Sequence, residues 1–256
     1  MLIQSKFPII NVAKQNDNCF EITFKAPEMA TDAKVGQFVN ILCEGKTLRR
    51  PISICRIDKE NGTIRIVFER RGEGTKWLSE RKEGEELDIL GPLGGNGFPL
   101  FEDKKNVLVV GGGIGVPPLL GIADFAKSNC DAVLGYKDKE HMNLVEDFNT
   151  VAGNTFIMTD DGSYGEKGFV TQRVEALFKE KKYDAVYACG PAPMLKAISK
   201  IAKEYDTECY ISLEERMGCG IGACLVCACE IMTADGEKRL HVCKDGPVFK
   251  ATEVIW

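Results

Sequence analysis

Up to about residue 100, apolar and polar side chains alternate. Phe20, Ile22 and Phe24 are interleaved with Glu21, Thr23 and Lys25, and Ile64, Ile66 and Phe68 fall between Thr63, Arg65 and Glu69. A period of two belongs to strands that bury one face. Turn dipeptides at Glu44-Gly45, Asn61-Gly62 and Glu83-Gly84 recur at a spacing that suits a small antiparallel barrel. The segment from Gly91 to Pro99 is rich in glycine and proline and breaks all periodicity, so a domain boundary is expected near its end.

From Asn106 the pattern changes. Val107-Leu108-Val109-Val110 is a continuous apolar run, as a parallel strand buried on both faces requires, and an apolar helix is expected after the glycines that follow. Further strands are expected at Ala132–Gly135, Thr155–Met158, Ala185–Ala188 and Cys209–Leu213. Between them, Val170, Val174, Leu177 and Phe178 share one helical face, and Met194, Ile198, Ile201, Ala202 and Tyr205 share another. Strands alternating with helices imply a parallel α/β sheet. The expected fold is therefore β + α/β in three parts: an antiparallel barrel over 1–100, a Rossmann-like α/β domain over 101–213 and a small cysteine-rich module over 214–256.

Composition narrows the function. The formal net charge of −5, with no basic run, argues against a nucleic-acid partner. The N-terminus lacks the apolar core of a signal peptide. The apolar stretch 107–126 is interrupted by Gly111-Gly112-Gly113, Pro117-Pro118 and Asp124, so it reads as strand, turn and helix and not as a membrane span. Eleven cysteines without a secretion signal fit a reducing compartment, and a cytoplasmic location is expected.

The chemistry centres on Cys219-Gly-Ile-Gly-Ala-Cys224-Leu-Val-Cys227 and a distant Cys243. The C-x₄-C-x₂-C spacing with a remote fourth cysteine is the plant-type [2Fe–2S] arrangement. Glycines at 218, 220 and 222 let such a loop turn its amides inward toward the sulfurs. A four-cysteine zinc site is the alternative, although zinc sites usually pair two short C-x₂₋₄-C units. Cys229 competes with Cys227 for the third position; the spacing selects Cys227 and leaves Cys229 as a buried thiol. Cys19, Cys43, Cys55, Cys130 and Cys209 read as packing residues, and the two histidines, His141 and His241, carry no pattern.

Three further stretches suit nucleotides. In Arg49-Arg50-Pro51-Ile52-Ser53 a guanidinium can clamp a phosphate and the serine hydroxyl can reach a flavin ring nitrogen; an edge strand with surface arginines is the alternative. Gly72-Glu-Gly74-Thr75 opens a short amphipathic stretch and adds a second phosphate-binding element. Gly111-Gly112-Gly113-Ile114-Gly115 follows a buried strand and precedes a helix, the context of a dinucleotide loop, but Val116 stands where a third glycine of G-x-G-x-x-G is expected. Asp160 and Asp161 end a parallel strand, where a carboxylate can accept from ribose hydroxyls and repel a 2′-phosphate, so NADH is the expected donor. Cys189, in Cys189-Gly190-Pro191, is placed at a strand's carboxyl end near a nicotinamide, or else is a core cysteine before a turn.

The order R-P-I-S, G-G-G-I-G, C-G-P resembles the ferredoxin–NADP⁺ reductase superfamily over residues 1–213. The cysteine loop after Tyr210-Ile-Ser-Leu-Glu-Glu-Arg-Met-Gly, with Thr159-Asp-Asp-Gly-Ser-Tyr-Gly and His241-Val-Cys243-Lys-Asp-Gly-Pro-Val-Phe249, extends the resemblance over the whole chain. The chain is similar to the electron-transfer subunits of NAD-dependent (class 1B) dihydroorotate dehydrogenases. That resemblance implies FAD held by Arg50, Pro51, Ile52, Ser53, Val67, Phe68, Glu69, Gly74 and Thr75, with Ser53 and Cys189 at the reacting centre. It implies a [2Fe–2S] cluster on Cys219, Cys224, Cys227 and Cys243, NAD(H) as co-substrate, and an FMN-containing catalytic subunit in a heterotetramer serving pyrimidine synthesis. An apolar patch near the cluster loop would be the docking surface. Ile52 stands where many superfamily members stack a tyrosine on the flavin, and the usual terminal aromatic is absent. Two other readings stay open: a reductase subunit for a hydrogenase, sulfide dehydrogenase or ferredoxin, and a zinc-stabilised nucleotide-binding regulator.

Overall fold

The computed structural model describes residues 2–103 and 106–256. Six strands close an antiparallel barrel: β1 (Ile3–Lys14), β2 (Cys19–Lys25), β3 (Phe38–Ile41), β4 (Arg50–Asp58), β5 (Thr63–Glu69) and β6 (Glu86–Leu93), in the order β1-β2-β5-β4-β3-β6. Closure by β1–β6 pairing leaves no free edge. The inward set of each strand fills the barrel: Ile22 and Phe24 from β2, Val39 and Ile41 from β3, Ile64 and Ile66 from β5. Register fixes the opposite set on the outside, so Phe38 and Asn40 of β3 face away from this core. Two short helices, α1 (Pro27–Asp32) and α2 (Glu73–Ser79), link the strands.

The second half is a seven-stranded sheet of β7 (Val107–Gly112), β8 (Cys130–Tyr136), β9 (Asn154–Thr159), β10 (Glu166–Lys167), β11 (Ala185–Cys189), β12 (Glu208–Ser212) and a late strand, β15 (Val248–Lys250). The order is β10-β9-β8-β7-β11-β12-β15, parallel except for β15. Chain order reverses between β7 and β11, so the crevice for a ligand opens at their carboxyl ends. Helices α3 (Leu120–Ala126), α4 (Val145–Val151), α5 (Val170–Glu180) and α6 (Ala192–Glu204) cover the sheet. Between β12 and β15 the chain forms the cysteine loop and a hairpin, β13 (Ala228–Thr233) and β14 (Gly236–His241).

Two helix expectations need correction. The apolar helix after Gly115 is delayed: 3-10 turns at Gly113–Gly115 and Pro117–Leu119 precede α3, because Pro117 and Pro118 lack the N–H groups an α-helix would use. On α6 the buried face is Leu195, Ile198, Ile201 and Ala202. Tyr205 caps the helix outside that face, 41% exposed and stacked on Phe178 with centroids 4.6 Å apart.

A partly buried ionic latch joins the barrel to the sheet domain. Arg65 of β5 donates to Glu21 of β2 and to Asp147 of α4, each at 2.5 Å. Beside it Asn16 Nδ2 donates to the Met142 carbonyl at 2.9 Å, and Leu144 N donates to Gln15 Oε1 at 3.2 Å. Removing one member of such a network strands a buried charge, which is costly. Among the described residues, no helix is long and apolar enough to cross a membrane.

Candidate functional site

The cleft between barrel and sheet, about 250 Å³, is lined on the barrel side by Phe38, Pro51, Ile52, Ser53, Val67, Phe68, Glu69, Arg71 and Thr75. The opposite wall is Ile114, Cys189, Ser212, Glu214 and Met217. The structure thus gathers Pro51, Ile52, Ser53, Val67, Phe68, Glu69, Thr75 and Cys189 around one space. Arg50 and Gly74 meet beside it: the Arg50 side chain lies so close over Gly74 that a Cβ there would overlap Arg50 Nε. Thr75 Oγ1 accepts from the amides of Arg71 (2.9 Å) and Gly72 (3.2 Å), which fixes the start of α2. Arg49, by contrast, is structural, with Nη2 paired to Asp88 Oδ1 at 2.7 Å and Nη1 donating to the Asn40 carbonyl at 3.2 Å. Among the described residues no tyrosine lines the cleft; its aromatic walls are Phe38 and Phe68.

Cys189 ends β11 in register with Gly111 of β7 and Ser212 of β12. It is 3% exposed, and burial pushes its thiol up to about 12, helped by the Glu214 charge and opposed by a hydrogen bond with Ser212. The side chain is therefore a neutral thiol at physiological pH, suited to packing against a flat ring and not to nucleophilic attack. Glu214 was not singled out from the sequence, although it lies in the Tyr210–Gly218 stretch. It is exposed to the clefts it lines, yet the protein packed around it raises its carboxyl above the usual range, with Arg71 opposing and Glu69 reinforcing that shift.

A second cleft, about 520 Å³, opens at the carboxyl ends of β7, β8 and β9. Gly112, Gly113 and Asp160 line it, as do Lys137, Phe169, Pro191 and Met194. Gly111 and Gly115 do not. Gly111 packs under Val116, and Gly115 abuts the main chain of Cys189, where a Cβ would meet the carbonyl oxygen at 2.5 Å. Asp161 turns away from the cleft: its Oδ1 accepts from Ser163 N at 2.9 Å, and Ser163 holds its carboxyl below the usual range. Of the two acids only Asp160 faces the space. Phe169, 66% exposed at the start of α5, offers the cleft an aromatic face. Sequence periodicity does not reveal it, because an exposed aromatic before a helix breaks no pattern.

The third site is the cysteine loop. Cys219 Sγ accepts from the amides of Ile221 (3.4 Å), Ala223 (3.3 Å) and Cys224 (3.4 Å), and Cys243 Sγ accepts from Gly222 N at 3.2 Å. Desolvation pulls Cys219 upward, but donation from the amides of Ile221, Cys224 and Ala223 and from the Cys224 thiol outweighs it and brings Cys219 down to about 6. Cys243 is pushed up to about 12 by burial and by its contact with Cys227. The thiols thus stand in two pairs, Cys219 with Cys224 and Cys227 with Cys243. Among the described residues, no three His, Cys, Asp or Glu side chains converge as ligands of a single ion. Two cysteine pairs, each with backbone amides aimed at one of its sulfurs, fit a binuclear iron–sulfur cluster. Of the three glycines, 220 and 222 have positive φ (+75° and +78°). Cys229 sits on β13 opposite Leu240 and is half-buried, not fully buried as expected. Cys227 and Cys243, each 1% exposed, share a core with Phe38 and Leu93 of the barrel. On the other side of the loop, Ile221 (47%), Leu225 (71%) and Val226 (55%) are exposed.

Comparison with known proteins assigns two parts of the chain to families. The model of the iron–sulfur cluster binding domain of dihydroorotate dehydrogenase B matches residues 214–255, and that of an oxidoreductase NAD-binding domain matches residues 109–200. The electron transfer subunit of dihydroorotate dehydrogenase B (NAD(+)) from Geobacillus sp. (strain WCH70) is 41% identical over 263 aligned residues, covering 100% of both chains. Its counterpart from Caldanaerobacter subterraneus subsp. tengcongensis is 48% identical over 223 residues, covering 86% of this chain and 87% of that one. Among solved structures, the NADH-dependent reduced ferredoxin-NADP oxidoreductase of flavin-based electron bifurcation superposes with a TM-score of 0.84 at 33% identity, covering 98% of this chain and 90% of that chain. The ferredoxin reductase of carbazole 1,9a-dioxygenase shares the fold, with a TM-score of 0.68 at 21% identity over 80% of this chain and 67% of that chain.

Proposed function

As the chain belongs to the family of NAD-dependent dihydroorotate dehydrogenase B electron transfer subunits, we propose that it relays electrons between NAD(H) and an FMN-containing catalytic subunit that oxidises dihydroorotate to orotate. The cleft between barrel and sheet holds FAD, the sheet-end cleft holds NAD(H), and the cysteine loop holds a [2Fe–2S] cluster. When bound, FAD accepts two electrons as a hydride and releases them singly, which a one-electron centre requires.

The residues do the positioning. Ser53 and Thr75 supply hydroxyls and Arg50 a cation on the barrel side of the cleft, and Cys189 and Ile114 face them from the sheet side. Asp160 receives the ribose of the donor and excludes a 2′-phosphate. Cys219, Cys224, Cys227 and Cys243 are the metal ligands, and Cys229 is not. The observation that carries the relay is Phe38. It lines the FAD cleft and packs in the same buried core as Cys227 and Cys243. Phe38 thus belongs both to the flavin cleft and to the core that buries the Cys227–Cys243 pair, while Cys219 and Cys224 are more exposed.

Ile221, Leu225 and Val226 form the docking face for the catalytic subunit, an exposed apolar group on the cysteine loop. The assembly is a cytoplasmic heterotetramer of two of each subunit. The chain divides at 1–100, 101–213 and 214–256, and the last part is anchored by β15, which returns to pair with β12. The test is reconstitution with a purified FMN-containing catalytic subunit. Dihydroorotate-dependent reduction of NAD⁺ should require both chains and fall when Leu225 is replaced by Asp. Co-purification of this chain with hydrogenase subunits and no FMN protein would overturn the assignment.

A further inference from the structure

Asn40 is a buried polar residue beneath the cysteine loop, beside the apolar Leu93. It lies on β3 two residues after Phe38, so both project from the outer face of the barrel, where Phe38 and Leu93 pack against Cys227 and Cys243. Asn40 is 1% exposed. Its Oδ1 is buried and has no hydrogen-bond partner among the described residues. Its Nδ2 points at the loop, so close to Gly220 that a Cβ on that residue would overlap it. Burying an amide whose oxygen finds no partner is unfavourable, so an asparagine kept here calls for a use of its nitrogen. An apolar residue would fill this position without that penalty.

The loop's own amides come from residues 221 to 224 and reach the sulfurs of Cys219 and Cys243. None of them comes from the barrel. Gly220, next to Cys219 and itself buried, is the point where the loop touches β3, and it bears no side chain that would hold Asn40 away. We propose that Asn40 is a positioning residue of the iron–sulfur centre, whose side-chain amide donates to a sulfur of the cluster from the barrel side and raises its reduction potential. Hydrogen bonds to the sulfurs withdraw charge from the cluster and favour its reduced form. Asn40 pairs in register with Pro51 of the FAD-binding strand β4, so the same strand pair that lines the flavin cleft also sets how readily the cluster accepts an electron. This inference rests on the [2Fe–2S] reading of the cysteine loop.

The test uses the full chain, reconstituted anaerobically and labelled with ¹⁵N only at asparagine side-chain amides. Pulsed EPR of the dithionite-reduced protein should show a weak ¹⁵N coupling to the cluster, and Asn40→Leu should abolish it. An EPR-monitored redox titration should place the cluster of Asn40→Leu, and of the isosteric Asn40→Asp, at a lower midpoint potential than wild type. An intact cluster with no ¹⁵N coupling in the wild-type protein overturns the proposal, even if the variants fail to load iron. An Asn40→Leu cluster that titrates at the wild-type potential also overturns it. Failure of the cluster reading would look different: wild-type protein with no iron, no sulfide and no EPR signal on reduction.

Discussion

Replacing Gly220 by alanine should empty the cysteine loop while leaving both nucleotide clefts intact. Gly220 has φ of +75°, and a Cβ added there would overlap Asn40 Nδ2. An L-residue in that backbone region costs about 1–2 kcal/mol. Overlap with a packed neighbour that cannot move freely costs about 1–3 kcal/mol more. Asn40 is 1% exposed and its strand is fixed between β4 and β6, so its side chain has little room to retreat. The sum, about 2–5 kcal/mol, shifts the balance between the ligating and displaced loop by roughly 30- to 5,000-fold. Gly236→Ala isolates the backbone component, since φ there is +104° and nothing lies within 4 Å of an added Cβ. The assay is iron and acid-labile sulfide per chain after anaerobic reconstitution, with FAD content measured in the same samples. Gly220→Ala should lose most of its iron and sulfide and keep its FAD, whereas Gly236→Ala should keep all three. A full complement of iron and sulfide in Gly220→Ala, or an equal loss in both variants, would refute the packing argument.

Three other outcomes follow from the sites. Asp160→Asn should raise kcat/KM for NADPH by roughly tenfold, the equivalent of removing about 1.4 kcal/mol of like-charge repulsion, while Asp161→Asn should leave the ratio of NADPH to NADH rates unchanged because that carboxylate is engaged with Ser163. Cys227→Ser should abolish the reduced-cluster EPR signal and Cys229→Ser should retain it; the reverse pattern would reassign the third ligand. Glu214 is exposed to the cleft but has protein packed around it that desolvates its carboxyl and raises it from an ordinary value of 4.5, so the folded protein holds that proton longer than the unfolded chain does. Stability from this group is present at low pH and is lost as pH rises from 4.5 through its raised value. Thermal melts should therefore show Glu214→Gln flattening the profile just above pH 4.5, and an unchanged profile would remove Glu214 from the account.

The parts of the molecule that were readable from sequence are those set by local rules. Alternation in 20–25 and 63–69 reports a barrel wall, since period two directly encodes which side of a strand is buried. The cysteine spacing is equally local, because three of the four ligands lie within nine residues of one loop, Cys219 to Cys227. What escaped depends on contacts between distant segments. The Arg65–Glu21–Asp147 latch joins positions far apart in the chain, and none of the three residues breaks the pattern of its own element. Asn40 looks like an ordinary polar position on a strand until the loop around Gly220 folds over it. The two aspartates show the limit from the other side. Their adjacency suggested a shared role, but consecutive residues at a strand end point in different directions, and only Asp160 reaches the cleft. Similarly, the helical face of α6 was placed one residue off, since Met194 and Leu195 are both apolar and only packing against β12 decides between them.

The central claim is that NADH electrons reach the cluster through FAD within this one chain. The most direct measurement mixes the reconstituted chain, without its catalytic partner, with limiting NADH under anaerobic conditions and freeze-quenches it for EPR while absorbance is followed in parallel. The flavin bands should bleach first and the reduced-cluster signal should then grow at their expense, and protein stripped of FAD should develop no such signal. A cluster that stays oxidised while the flavin is fully reduced, or one that is reduced equally fast without FAD, would contradict the account.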